Sequence, residues 1–207
     1  MKKLTTCFQA PVSMARPRGT RRIDVYGLKI GRRLQCFGEA AYSQWVLLEA
    51  SPSIQLYCER PAYLNFGGAK ILADYWVKED DRESLLLIGE SGQISTTTIG
   101  STQYEVRTIP SAELAAMRTW IENWERMLPV ITSYRDLLTD SFFKSVEKFV
   151  SEPMQLSFIE RELGTSDLTT VRAAVFTLLH RGRLDAPRLR TEPLSFLSHF
   201  EPRNAKP

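Results

Sequence analysis

Three carboxylates stand where the chain changes its pattern. Glu39 opens an amphipathic stretch, Asp74 interrupts the apolar residues 71–77, and Glu90 follows the apolar run 85–88 after one glycine. Two carboxylates at neighbouring strand ends, with a third on a facing helix, form a cup of oxygen ligands. Mg²⁺ takes such ligands, usually one or two carboxylates completed by water and substrate phosphate. A metal so held polarises a phosphoryl group and lowers the pKa of a bound water, which is what phosphodiester hydrolysis needs. Each residue also has a plainer role open to it. Glu39 suits a helix N-terminus through the helix dipole, Asp74 the outer face of a strand, and Glu90 a turn. Other chemistries are absent from the sequence. There is no G-x-S-x-G, P-loop or H-E-x-x-H pattern. The two histidines, His180 and His199, both fall in the C-terminal part, so the middle has no imidazole for acid–base work. Cys7, Cys36 and Cys58 make no C-x-x-C pair, which argues against a disulfide framework or a cysteine zinc site. A reducing, cytoplasmic setting is expected. Residues 1–3 lead into no apolar signal segment, and runs such as 85–88 fall far short of the ~20 residues of a membrane helix.

Charge is distributed unevenly. Residues 1–35 carry +8, residues 36–160 carry −8 and residues 161–207 carry +3, giving the total of +3. Basic ends around an acidic middle point to nucleic-acid contact, set against a merely solvated basic tail. Arg16, Arg18, Arg21 and Arg22 lie among Pro17 and Gly19, a flexible setting suited to phosphate, and Arg32 and Arg33 extend the set.

The elements that must position these residues follow from periodicity. Residues 1–22 form a basic extended arm. Residues 23–30 make a short strand interrupted by Gly27, and Gly31-Arg32-Arg33 turns the chain. Phe37, Ala41, Trp45 and Leu48 share one face of a helix over 38–49. Residues 54–58 alternate as a strand, and 63–66 are a second. Gly67-Gly68 signals a hairpin whose return strand spans 70–77. Residues 84–88 and 104–109 are further strands, with 91–102 as a Ser/Thr-rich loop between them. A helix covers 112–126 until Pro129 breaks it, and 133–150 holds one or two more. Helix followed by antiparallel strands is an α+β core. After Pro153, a helix over 154–163 capped by Gly164, N-cap chemistry in Thr165-Ser166-Asp167 for a helix running to about Arg181, and two short strands around 185–187 match a winged helix-turn-helix. In that reading Thr169, Thr170, Arg172 and Thr177 form the polar side of the second helix. Arg181, Arg183, Arg188 and Arg190 surround the wing. A helical unit that packs only against protein is the alternative.

Several segments together resemble TnsA, the endonuclease subunit of heteromeric DNA transposases. They are residues 32–36 with Gly38-Glu39, Leu47-Leu48-Glu49-Ala50-Ser51-Pro52-Ser53-Ile54, Tyr57-Cys58-Glu59-Arg60-Pro61, Ala73-Asp74-Tyr75-Trp76-Val77, and the stretch 171–197. The resemblance spans roughly residues 20–200. It implies a restriction-endonuclease-like mixed sheet core flanked by helices over 23–150, and a winged helix over 151–207. It also implies catalytic and metal-ligating roles for Glu39, Asp74 and Glu90, with Mg²⁺ as cofactor. The lysine expected two residues after the third carboxylate falls on Gly92, with Lys70 and Lys78 as candidate substitutes. Removing one preorganised contact of this kind costs ~10²–10³ in rate. The implied role is cutting the 5′ strand at double-stranded transposon ends beside a DDE transposase (TnsB-like) and an AAA+ regulator (TnsC-like). Two further readings remain: an inactive assembly or DNA-binding subunit of the same complex, and a winged-helix transcription regulator.

Overall fold

A strand built around a continuous apolar run must have both faces covered along that run, so it belongs at the centre of a sheet. In the computed structural model, which describes residues 8–89, 95–164 and 167–203, that strand is β7 (Arg82–Ile88). It is buried from Ser84 to Leu87. The chain divides into two compact units, residues 1–49 with 53–116 and residues 50–52 with 117–207. The expected boundary at 150 does not coincide with this division: residues 117–150 group with the C-terminal unit.

The first unit opens with an antiparallel pair, β1 (Arg22–Gly27) and β2 (Arg32–Phe37). Arg32 and Arg33 therefore begin a strand instead of turning the chain. The turn lies at residues 28–31, closed by the Gly31 N–H on the Gly27 carbonyl at 2.8 Å. Helix α1 (Glu39–Ala50) follows, with Trp45 and Leu48 buried as the stripe predicts. Strand β3 (Ile54–Glu59) leads to the hairpin β4 (Tyr63–Phe66) and β5 (Ala69–Leu72). Gly67 and Gly68, at φ +54° and +83°, form its tip as expected, because a two-residue turn of this hand needs two left-handed residues. The return strand ends at Leu72. A separate strand, β6 (Tyr75–Glu79), belongs to the main sheet, and Asp74 lies in the bend between the two.

β6 pairs antiparallel with β3 and with β7. Residues 96–99, expected as loop, form strand β8 (Thr96–Ile99), which pairs antiparallel with β9 (Thr102–Ile109). β9 runs parallel to β7, giving a five-stranded mixed sheet in the order β3-β6-β7-β9-β8. A short helix, α2 (Ser111–Ala116), ends the unit. Part of the expected arm is held against this core. The Phe8 ring lies 5.8 Å from Trp76 and 5.6 Å from Tyr104, and the Val12 N–H donates to the Arg60 carbonyl at 2.8 Å.

The second unit is mostly helical. Its elements are α3 (Arg118–Tyr134), α4 (Asp140–Phe149), β10 (Met154–Gln155), α5 (Leu156–Leu163), α6 (Leu168–His180), β11 (Leu184–Asp185), a 3₁₀ turn at Pro187–Arg190 and β12 (His199–Pro202). Pro129 sits inside α3 and does not end it. An interior proline costs about 3 kcal/mol, and each fully buried large apolar side chain returns about 1.5–3 kcal/mol. Trp120, Ile121, Trp124, Met127, Leu128 and Ile131 are all buried on this helix, so burial outweighs the proline. The second of the two expected short strands is the 3₁₀ turn. Instead β12 pairs with both β10 and β11. Together the units form an α+β fold: a central sheet with helices, followed by a smaller helix-and-strand element. Among the described residues no helix is long and apolar enough to cross a membrane.

Candidate functional site

Asp74 is held from three sides. Its carbonyl accepts the Arg60 N–H at 2.7 Å, its N–H donates to the Leu86 carbonyl at 2.9 Å, and its Oδ2 accepts the Ile88 N–H at 2.7 Å. Burial pushes its carboxyl up to about 6, against the opposing pull of the Ile88 N–H. The next residue brings a helix alongside: Tyr75 is buried in β6, and its hydroxyl donates to the Ala41 carbonyl in the first turn of α1 at 2.8 Å. The sheet and α1 are thus joined beside Asp74.

The other two carboxylates do not complete a described site. Glu39 is the first residue of α1, but its side chain is 65% exposed and pairs with Arg21 Nη1 at 3.2 Å. Glu90 and Gly92 lie outside the described residues, so the expected convergence at the third position, and the missing lysine, fall there too. The β7 residues alongside Asp74 are Leu86, Leu87 and Ile88, which carry no oxygen side chain. Among the described residues no three His, Cys, Asp or Glu side chains gather as a metal site. Among the described residues Asp74 is the one half-buried carboxylate at this point, where Mg²⁺ prefers several hard oxygen ligands.

Two carboxylates not singled out from the sequence as site residues are the most buried among the described residues of the unit. Glu59 receives both Nη atoms of Arg32, at 2.6 and 2.8 Å. Glu49, fully buried, accepts the Tyr57 hydroxyl at 2.6 Å, and that hydroxyl in turn accepts the Trp45 indole N–H at 2.8 Å. The signal was present in spacing. Glu49 is four residues after Trp45 on the apolar stripe, and Glu59 is two after the buried Tyr57 on one strand face. Beside Glu49, Lys29 donates to the Leu48 carbonyl at 2.7 Å, and burial brings its amine down to about 8.

The arginines expected to meet DNA separate into two groups. In the second unit each has an internal partner. Arg172 bonds Glu160 at 2.6 Å, Arg183 pairs with Glu147 at 2.7 Å and Arg188 with Glu192 at 3.2 Å. Arg181 stacks over Phe143 at 4.3 Å and Arg190 over Trp120 at 4.9 Å. Thr170 donates to Asp167, the N-cap of α6, at 2.7 Å, and Thr177 is buried against the Ala173 carbonyl. Helix α6 is buried continuously over Ala173–Leu179. In the first unit, Arg16, Arg18 and Arg33 are exposed, with no acidic partner among the described residues. Arg22 bonds Asp24 at 2.9–3.1 Å. Arg22, Arg32 and Arg33, together with Arg60, line a cavity of about 630 Å³. Neither a protein-family model nor a curated protein sequence matches this chain.

Proposed function

We propose that the chain is a TnsA-like subunit of a DNA-transposition complex. It binds double-stranded transposon ends beside a DDE transposase and an AAA+ regulator. The observation that carries the reading is the order of the first unit. Helix α1 is followed by the antiparallel strands β3, β6 and β7 and then by β9 parallel to β7. Asp74 stands at the entry to the second of these strands, hydrogen-bonded to the third. This is the order expected of a restriction-endonuclease-like core. The second unit supports the companion reading of a winged helix-turn-helix, because α4, β10, α5, α6, β11 and β12 follow in that order with β12 between its two partners. The buried run of α6 leaves its first turns, with Thr169, Thr170 and Arg172, as the part able to approach a groove.

Two versions of this function differ in whether the subunit cuts. Gly92, standing where the resemblance expects a lysine, favours an assembly and DNA-binding subunit. The cutting version relies on Glu39, Asp74 and Glu90, the carboxylates that would hold Mg²⁺, which would supply the Lewis acid for hydrolysis of the 5′ strand. One experiment separates them: strand cleavage and transposition on transposon-end DNA in Mg²⁺, with the transposase and regulator present, for wild type and Asp74→Ala. Loss of 5′-strand cuts in Asp74→Ala assigns cutting to this chain. Full transposition by the variant assigns assembly. A wild-type chain that neither binds end DNA nor alters transposition refutes the function itself.

A further inference from the structure

The cavity against the β1–β2 pair holds an imbalance of charge that the fold does not use. Four arginines and two acids line it: Arg22, Arg32, Arg33 and Arg60, with Asp24 and Glu59. Both acids are already neutralised, Asp24 by Arg22 at 2.9–3.1 Å and Glu59 by the two Nη atoms of Arg32 at 2.6 and 2.8 Å. Two positive charges remain. Arg33 is exposed on β2, with no acidic partner among the described residues. Arg60 is half-buried and its guanidinium is held in place, with Nη1 donating to the Gln35 carbonyl at 2.6 Å and the Phe37 ring 4.8 Å away. Its Nε is buried with no hydrogen-bond partner among the described residues.

The backbone of Arg60 is also unusual. It lies at φ +46°, a left-handed conformation that residues with a side chain rarely adopt. Hydrogen bonds on both sides enforce it: its N–H donates to Asp74 and its carbonyl accepts from Val12. Such strain persists only where the surroundings over-determine it, and it concentrates at ligand clamps. Guanidinium forks match phosphate oxygens in planar, charge-assisted pairs. The volume of about 630 Å³ lies among those of small-ligand sites, roughly 300–1,000 Å³. None of the lining residues is aromatic, so the walls offer a phosphate group its partners and a base no stacking surface.

We propose that this cavity is a phosphate-binding site, in which Arg33 and Arg60 hold the phosphate and the Arg22–Asp24 and Arg32–Glu59 pairs form fixed walls. The inference goes beyond the function proposed above because it concerns the phosphate group, whatever molecule carries it. Two sources share the chemistry: a phosphodiester within a nucleic-acid strand, and a terminal or free phosphate.

The test is calorimetric titration of the full chain, without metal, using inorganic phosphate and an eight-nucleotide single strand with or without a 5′ phosphate. The variants are Arg33→Glu, Arg60→Lys and, as a charge-matched control on an exposed strand position away from the lining, Arg107→Glu. Arg33→Glu weakens binding about tenfold or more, the worth of one charge-assisted hydrogen bond, with an unchanged melting temperature. Arg60→Lys keeps the charge but loses the fork, and weakens binding by about threefold to tenfold. Arg107→Glu stays within about twofold, as a distant screened charge should. Preference for the phosphorylated strand identifies a terminal phosphate, and equal binding of both strands identifies the backbone. Each supports the site. Equal weakening by Arg33→Glu and Arg107→Glu, or no binding of any probe by wild type, overturns it. Because binding is read without cleavage, its failure is distinct from failure of the transposition reading.

Discussion

Asp74 carries a cost at neutral pH that can be measured directly. Its pKa is raised by burial to about 6 in the folded chain, against about 3.9 when unfolded. The folded state therefore holds the proton more tightly. The associated stability is fully present below about pH 4 and is lost as pH rises through about 6. Asp74→Asn keeps an acceptor for the Ile88 N–H and never ionises. At pH 8 it should be more stable than wild type by about 1–3 kcal/mol, and near pH 4 the two should coincide. Urea denaturation at the two pH values checks both points. A difference independent of pH would mean that the carboxyl is well solvated.

The packing of β1 against β3 sets a limit on one small residue. Gly27 ends β1, and a Cβ at this position would fall inside contact distance of the Tyr57 hydroxyl and of Ile30. That hydroxyl is already committed to Glu49 and Trp45, so it cannot move without loosening a buried network. Gly27→Ala should cost about 1–3 kcal/mol, as overpacking does, read as a shift in the denaturation midpoint at constant slope. The sequence shows Gly27 as an interruption but not the side chain waiting beside it. Legibility divides along this line. The stripe of α1, the Gly67-Gly68 tip and the Asp167 cap are local patterns, and they are readable. The sequence puts Asp74 within one strand because the apolar residues 71–77 run through it, yet the chain changes sheets there. No local pattern records which sheet a strand joins. Pro129 reads as a breaker in the sequence because the apolar residues that hold α3 together act through tertiary packing. The basic residues were legible as a class, whereas their pairing with Glu147, Glu160 and Glu192 depends on partners up to 36 residues away.

Across the described residues, the segregation of charge seen in the sequence becomes a contrast in pairing. The C-terminal arginines expected to face DNA each have an intramolecular partner, although Arg181, Arg183, Arg188 and Arg190 are exposed, while Arg16, Arg18 and Arg33 in the N-terminal unit are exposed with no acidic partner among the described residues. Sequence-independent binding to duplex DNA should therefore depend more on the N-terminal residues. Replacing Arg16 and Arg18 together by serine should lower the slope of log affinity against log salt by up to about 2, since each lost phosphate contact accounts for about 0.9. Fluorescence anisotropy over a salt series measures this, and an unchanged slope would show that neither residue meets a phosphate. The buried run Ala173–Leu179 of α6 has a consequence of another kind. Backbone amides enclosed on every side exchange their hydrogens with solvent only when the surrounding structure opens as a whole. The helix thus acts as a clock for its unit: the rate at which those amides take up deuterium reports the global opening free energy of the C-terminal unit, while the strand ends and helix termini around it report only local fraying.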